Sequence, residues 1–278
     1  MKLSLSSSIS SRVAAAAFLW VGLSLVASRP ASARSPVDEV QRGFELIDDY
    51  VVVKDGNEIK ARIYSSSETR AILIVPDDIA TPSVILWPRT RGVESLKSMK
   101  VQTLPGGFVE VKKQAVAASH PPFEVVGTDV LFDVGGTEMR LRPKPHLLGL
   151  FDTRHMLEES LVYARRADDY TPTPELLEKL GRLSGSVRVR VFFGSWCAAC
   201  GQMVPRILSV AERLGESNLD FEFYGLPKVG FSDDSQAKAY DIKSVPTGVV
   251  FVDDLEVGRI QGNDWRSPES ALWDLLDS

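Results

Sequence analysis

The spacing of apolar and polar positions changes character near residue 145. Before that point the apolar residues come in short runs of strand type, separated by turn formers. Tyr50–Lys54 and Glu58–Tyr64 flank Asp55-Gly56-Asn57, and Val101–Leu104 and Phe108–Lys113 flank Pro105-Gly106-Gly107; both read as hairpins. Ala71–Val75 and Val84–Trp87 are apolar throughout and are closed by Pro76 and Pro88. Glu124–Val126, Val130–Phe132 and Glu138–Arg142 complete the series, with Gly135-Gly136 at the last turn. This spacing predicts a small all-β domain, a sandwich or barrel, within a β-rich region of residues 34–145. At its start Val40, Phe44 and Ile47 have helical spacing, interrupted by Gly43.

Beyond it the elements lengthen. Residues 146–172 read as a connecting helical segment, in which Met156–Arg166 places Leu157, Leu161 and Val162 on one side. From Thr173 the pattern is that of an α/β unit, residues 173–278. Thr173 is expected to cap a helix opened by Pro174, with Leu176, Leu177, Leu180 and Leu183 as its apolar stripe. Val187–Phe193 is a strand, and Gln202–Leu214 a helix with Pro205 inside it, which removes the hydrogen bond to the Gly201 carbonyl. Leu219, Phe221 and Phe223 alternate with polar residues, as in a half-buried strand toward a sheet edge. Ser235–Tyr240 is a short helix. Thr247–Val252 is apolar throughout, as near a sheet centre, and Glu256–Gln261 returns antiparallel after Asp253-Asp254. Ser267-Pro268-Glu269 opens a last helix. The order is β-α-β followed by β-β-α.

The N-terminus changes the compartment. Lys2 and Arg12 precede an apolar run from Val13 to Ala27, and Ala31-Ser32-Ala33 is a small-residue cleavage pattern, so residues 1–33 read as a signal peptide. Fifteen apolar residues are short for a membrane span, which needs about 20; an uncleaved segment would be the chain's expected hold on the membrane. Removing residues 1–33 leaves 29 basic and 37 acidic residues, a net charge of −8, which argues against a nucleic-acid partner. A periplasmic or otherwise exported protein is expected.

The candidate chemistry sits in Trp196-Cys197-Ala198-Ala199-Cys200. Both cysteines of the chain are here, after a strand and at the start of a helix, where two thiols three positions apart can close a small disulfide ring. A CxxC alone is equally a soft metal site, suited to Cu(I). His120, His146 and His155 are scattered: the first two read as loop histidines without partners, and His155 as a surface or capping residue. Gly106-Gly107 and Gly135-Gly136 lack the spacing of a phosphate loop, so no cofactor is expected.

Three features together resemble the thioredoxin superfamily: Phe193-Gly194-Ser195-Trp196-Cys197-Ala198-Ala199-Cys200, Pro205 in the following helix, and Ser244-Val245-Pro246-Thr247 ahead of Val249–Val252. The resemblance begins at Thr173; residues 34–145 resemble no named family. With the signal peptide it looks most like the exported thiol–disulfide oxidoreductases. It implies Cys197 as the attacking sulfur and Cys200 as the buried resolving one. It also implies a cis Pro246 facing the pair, with Trp196, Val245, Pro246 and Thr247 holding the substrate. Exported proteins bearing thiols or disulfides are the implied partners; with a membrane electron donor the pair would reduce them, without one it would oxidise or shuffle their disulfides, and the uncharged Ala198-Ala199 favours reduction. Two departures qualify it. Ala198-Ala199 adds no charge between the cysteines, and Val191 stands where thioredoxin carries a buried acid. A Cu(I) carrier, or a binding module whose Cys197–Cys200 disulfide is only structural, stays open at this level.

Overall fold

The computed structural model describes residues 41–97, 101–104, 107–112, 115–215 and 217–277. Residues 1–33, read above as a signal peptide, and Val40, Pro105 and Gly106 lie outside these. The described residues all fall within one compact unit.

The N-terminal strands form two antiparallel sheets. One carries β1 (Gln41–Ile47), β4 (Ala61–Ser66), β5 (Ile72–Pro76), β6 (Val84–Trp87), β7 (Gly92–Leu96), β8 (Val101–Thr103), β9 (Val109–Val111) and β10 (Val116–His120), in the order β10-β7-β6-β5-β4-β1-β9-β8. The other carries β2 (Tyr50–Lys54), β3 (Asn57–Ile59), β11 (Glu124–Val126), β12 (Asp129–Val134) and β13 (Thr137–Pro143), in the order β11-β12-β13-β2-β3. The period of two explains why both faces of the larger sheet are apolar. Leu73, Ile85 and Trp87 join Phe44 and Tyr64 in a core on one face. Ile74, Val84 and Leu86 pack from the other face against Val52, Phe132, Met139 and Leu141 of the smaller sheet. The apolar runs of β5 and β6 are therefore strands covered on both sides.

Several expectations are corrected here. Residues 41–47 form a strand, not a helix. Gly43, at φ +76°, sits where the pairing with β9 shifts register, so its left-handed backbone makes a bulge rather than ending a helix. The run Glu58–Tyr64 is split at Lys60: β3 pairs with β2, whereas β4 crosses to the other sheet. Asp55 and Gly56 both have positive φ, as the two-residue turn before β3 requires. His120 is not an unpartnered loop residue; it lies on β10, with Nε2 2.8 Å from Ser95 Oγ.

The third sheet has the order β14-β16-β15-β17-β18. Its strands are β14 (Gly149–Asp152), β15 (Val187–Phe193), β16 (Leu219–Gly225), β17 (Thr247–Val252) and β18 (Leu255–Ile260). Only β15 and β16 run parallel. Residues 149–169 are thus part of this sheet and its helical cover rather than a bare connection. β14 pairs antiparallel with β16, which makes β16 an inner strand and moves the edge to β14. At this junction the Leu147 carbonyl passes so close to Gly225 that a Cβ there would collide with it. The expected single helix from Met156 is two, α1 (Thr153–Glu159) and α2 (Leu161–Asp169), broken at Ser160. The Ser160 hydroxyl caps the second, and Asp152 caps the first while also holding His155 Nδ1 at 2.9 Å. Then come α3 (Pro174–Gly181), α4 (Ala198–Leu214), α5 (Ser235–Ala239) and α6 (Pro268–Leu276). Thr173 makes no side-chain cap; its hydroxyl donates instead to Glu269 of α6 at 3.2 Å. Helices α1, α2, α4 and α6 close one core with β15 and β16, including Met156, Tyr163, Val191, Phe193, Cys200 and Leu272. Phe192, Val249 and Phe251 look to the other face and α5. No helix among the described residues is long and apolar enough to cross a membrane.

Candidate active site

The site is built where β15 ends and α4 begins. Phe193 is buried in the sheet, and Gly194 follows with the indole of Trp196 lying over it; a Cβ at 194 would come within 2.5 Å of Trp196 Cε2. The indole N–H donates to the Leu226 carbonyl at 2.9 Å, and the ring faces Phe231 at 6.4 Å. Trp196 is half-buried. Ser195 Oγ accepts from the Leu147 amide at 3.1 Å, which ties the loop to the chain entering β14.

Cys197 is the N-cap of α4. Its sulfur accepts from the Cys200 amide at 3.4 Å, in the position where a capping oxygen normally takes one of the helix's spare N–H groups. That placement sets the sulfur at the positive end of the helix dipole. Its thiol can also donate toward the Val245 carbonyl, 3.7 Å away. Cys200, one turn deeper, is 0 % exposed, and burial pushes its thiol well above the usual range, opposed by the Gly194 amide that donates to it at 3.5 Å. Both cysteines are free thiols. Among the described residues no group of three or more His, Cys, Asp or Glu side chains is placed to hold a metal.

Facing them, the Val245–Pro246 peptide is cis. Pro246 has no N–H, and its carbonyl accepts from Trp265 Nε1 at 3.2 Å, so a buried indole fixes the loop from behind. Cys197 lies against the Val245 carbonyl, and Trp196, Cys197, Val245 and Pro246 are all partly exposed. Thr247 is corrected: it is fully buried, and its hydroxyl donates to the Ser244 carbonyl at 2.8 Å, so it braces the loop and does not face a partner.

Residues outside the recognised motifs complete the site. Pro205 leaves the Gly201 carbonyl without its helical donor, and Arg166 of α2 fills the gap at 2.8 Å. The other guanidinium nitrogen reaches Glu45 of β1 at 2.9 Å. Next to Cys197 lies a cleft of about 560 Å³, walled by the Asp48–Asp49 turn, Lys144 and His146 on one side and by Tyr163 and Arg166 on the other. Lys144 is paired to Asp48 at 2.9 Å. Proline inside a helix signals that some donor must serve Gly201, but nothing in the sequence says which. Tyr163 and the cleft are assembled by long-range packing alone.

No family model matches the chain. A thioredoxin from Chlamydia pneumoniae is 29% identical over 72 residues, 26% of this chain and 64% of that protein. The chain is similar to thioredoxin over part of its length. The match spans less than two thirds of that relative. Among solved structures, mitochondrial thioredoxin 3 from Saccharomyces cerevisiae, in its oxidised form, is 20% identical at a TM-score of 0.26, covering 39% of this chain and 98% of that one. A Pseudomonas aeruginosa protein of unknown function is 15% identical at a TM-score of 0.33, covering 45% and 89%. The thioredoxin-like character of the third sheet rests on its own strand order, on the two cysteines at the head of α4 and on the Val245–Pro246 loop, beside that partial sequence similarity.

Proposed function

We propose that this chain is a thiol–disulfide oxidoreductase acting on exported proteins, in the reducing direction, through Cys197 and Cys200. The observation that carries the reading is the asymmetry of the pair. Cys197 is partly exposed and held by a helix N-terminus beside the Val245 carbonyl, while Cys200 is buried behind it. One sulfur is set to attack and the other to resolve.

In this reading Cys197 attacks a substrate disulfide and forms a mixed disulfide, and the released partner sulfur takes up a proton. The Val245 backbone and Trp196 border the incoming segment. Cys200 then displaces the second partner sulfur, leaving a Cys197–Cys200 disulfide and a fully reduced substrate. A membrane electron donor returns the pair to the dithiol. The signal peptide of residues 1–33 supports export, and Ala198-Ala199, which adds no positive charge to favour the dithiol's anion, supports a reducing pair.

The test is alkylation trapping in cells that produce the chain. The protein recovered from the exported fraction is expected as the dithiol at Cys197 and Cys200. A stable disulfide in that fraction contradicts the reducing direction, and a protein retained in the cytoplasm contradicts export.

A further inference from the structure

One buried hydroxyl in the core that also holds Cys200 has no hydrogen-bond partner. Tyr163 is 5 % exposed, and its hydroxyl is the one buried side-chain oxygen or nitrogen without a hydrogen-bond partner among the described residues. Such a group costs stability wherever it occurs, so its retention calls for an explanation.

Its position supplies one. Arg166 anchors α2 to the carbonyl of Gly201, the residue after Cys200, and Tyr163 lies one turn earlier on the same face of α2. The tyrosine ring stands edge-on to Phe193 at 6.1 Å, and the next residue, Gly194, is the one whose amide donates to Cys200. Tyr163 shares a core with Cys200 and a cleft with Cys197. Burial first, and then the charges of Cys200 and Cys197, push its own ionisation far up, so it keeps its proton. The other charged groups acting on it are Arg166 on its own helix and Asp48 from the β1–β2 turn. The sheet residues described in the core with Cys200, Val191 among them, are apolar.

We propose that the Tyr163 hydroxyl donates a hydrogen bond to the Cys200 sulfur while that sulfur carries charge, and so speeds closure of the Cys197–Cys200 disulfide. The inference rests on the dithiol reading above. In the step concerned, Cys200 loses its proton and its electron pair forms a bond to Cys197 Sγ. The bond from Cys197 Sγ to the partner's sulfur breaks, and the partner leaves as a thiolate that takes up a proton. The two electrons lost by the dithiol are those gained by the partner disulfide. Charge rests on a fully buried sulfur in mid-step, where a donor with no competing partner matters most.

The experiment uses the full chain, reduced, with the chromogenic disulfide 5,5′-dithiobis(2-nitrobenzoate). Attack by Cys197 releases one coloured thiolate, and attack by Cys200 releases the second, so a single trace reports both steps. Tyr163→Phe keeps the ring and removes only the hydroxyl. The first release is expected to keep its rate. The second is expected to slow about tenfold or more, the loss of one hydrogen bond to a charged group, with its pH profile displaced to higher pH. The thermal midpoint is expected to hold or rise, since an unpaired hydroxyl has gone. A second release at the unaltered rate and pH profile overturns the inference, as does equal slowing of both releases, which marks a displaced helix. A wild-type chain that releases only one equivalent fails the dithiol reading itself, and the inference with it.

Discussion

Arg166→Met tests whether the carbonyl that Pro205 leaves open in α4 is served from outside the helix. Two interactions are lost. The bond from Arg166 Nη1 to the Gly201 carbonyl is 2.8 Å long and charge-assisted, a class worth about 1.5–3 kcal/mol. Gly201 is only half-buried, so water replaces part of it and the lower end of that range applies. The pair with Glu45, whose side chain is 57 % exposed, adds less than about 1 kcal/mol. The sum is a loss of about 1.5–2.5 kcal/mol, read from the shift of a urea unfolding curve at unchanged slope. The discriminating measurement is a double-mutant cycle. Pro205→Ala restores an N–H at position 205, and that amide serves the Gly201 carbonyl within the helix. In that background Arg166→Met is expected to cost only the share of Glu45, giving a coupling of about 1.5 kcal/mol between sites 166 and 205. Equal losses in both backgrounds, or a Glu45→Gln loss as large as that of Arg166→Met, would refute the reasoning.

Three further outcomes are expected. Cys200→Ser traps a mixed disulfide at Cys197, visible as an added mass on reaction with a protein disulfide, whereas Cys197→Ser forms none. Trp265→Phe removes the donor to the Pro246 carbonyl and a few atoms from a site 1 % exposed, for a loss of about 1–3 kcal/mol by thermal unfolding and a slower exchange at Cys197. Glu269 is 2 % exposed; burial raises its pKa, but hydrogen bonds from its own amide, Tyr170, Thr173 and Ser267 outweigh burial and hold it below the usual carboxylate range. A carboxylate depressed in the folded state adds stability that is present above its unfolded pKa of about 4.3 and is lost as pH falls through its folded value. Glu269→Gln is therefore expected to lower stability at neutral pH and to flatten the acid limb of a stability–pH curve; an unchanged acid limb contradicts the assignment.

How far the sequence could be read depended on the range of the interactions. Val187–Phe193 and Thr247–Val252 were legible to the residue, because an apolar run closed by turns specifies a strand from local information. Cys197, Cys200, Pro205 and the Val245–Pro246 pair could be placed for the same reason: each motif is local, and their order carried the rest. The failures were all matters of neighbours. Gly149–Asp152 became a strand because β16 had a free edge, which four residues among prolines cannot announce. Phe44 and Ile47 had helical spacing, but β4 and β9 lay ready to pair with them. Gly92–Leu96 and Val116–His120, not anticipated as strands, pair with each other. Thr247 sits in the recognised motif yet points inward, a distinction set by one position along a strand. Tyr163 and Arg166 lie in a stretch whose only local signal was helical spacing, so their place beside the cysteines emerges only from the packing of α2 on α4.

The central claim is that Cys197 and Cys200 form a working redox pair. The most direct measurement is their equilibrium with a graded series of reduced and oxidised glutathione, followed by thiol alkylation. The account predicts one reversible two-electron transition that disappears in Cys197→Ser and in Cys200→Ser. A pair that stays fully reduced or fully oxidised across the whole series would contradict it.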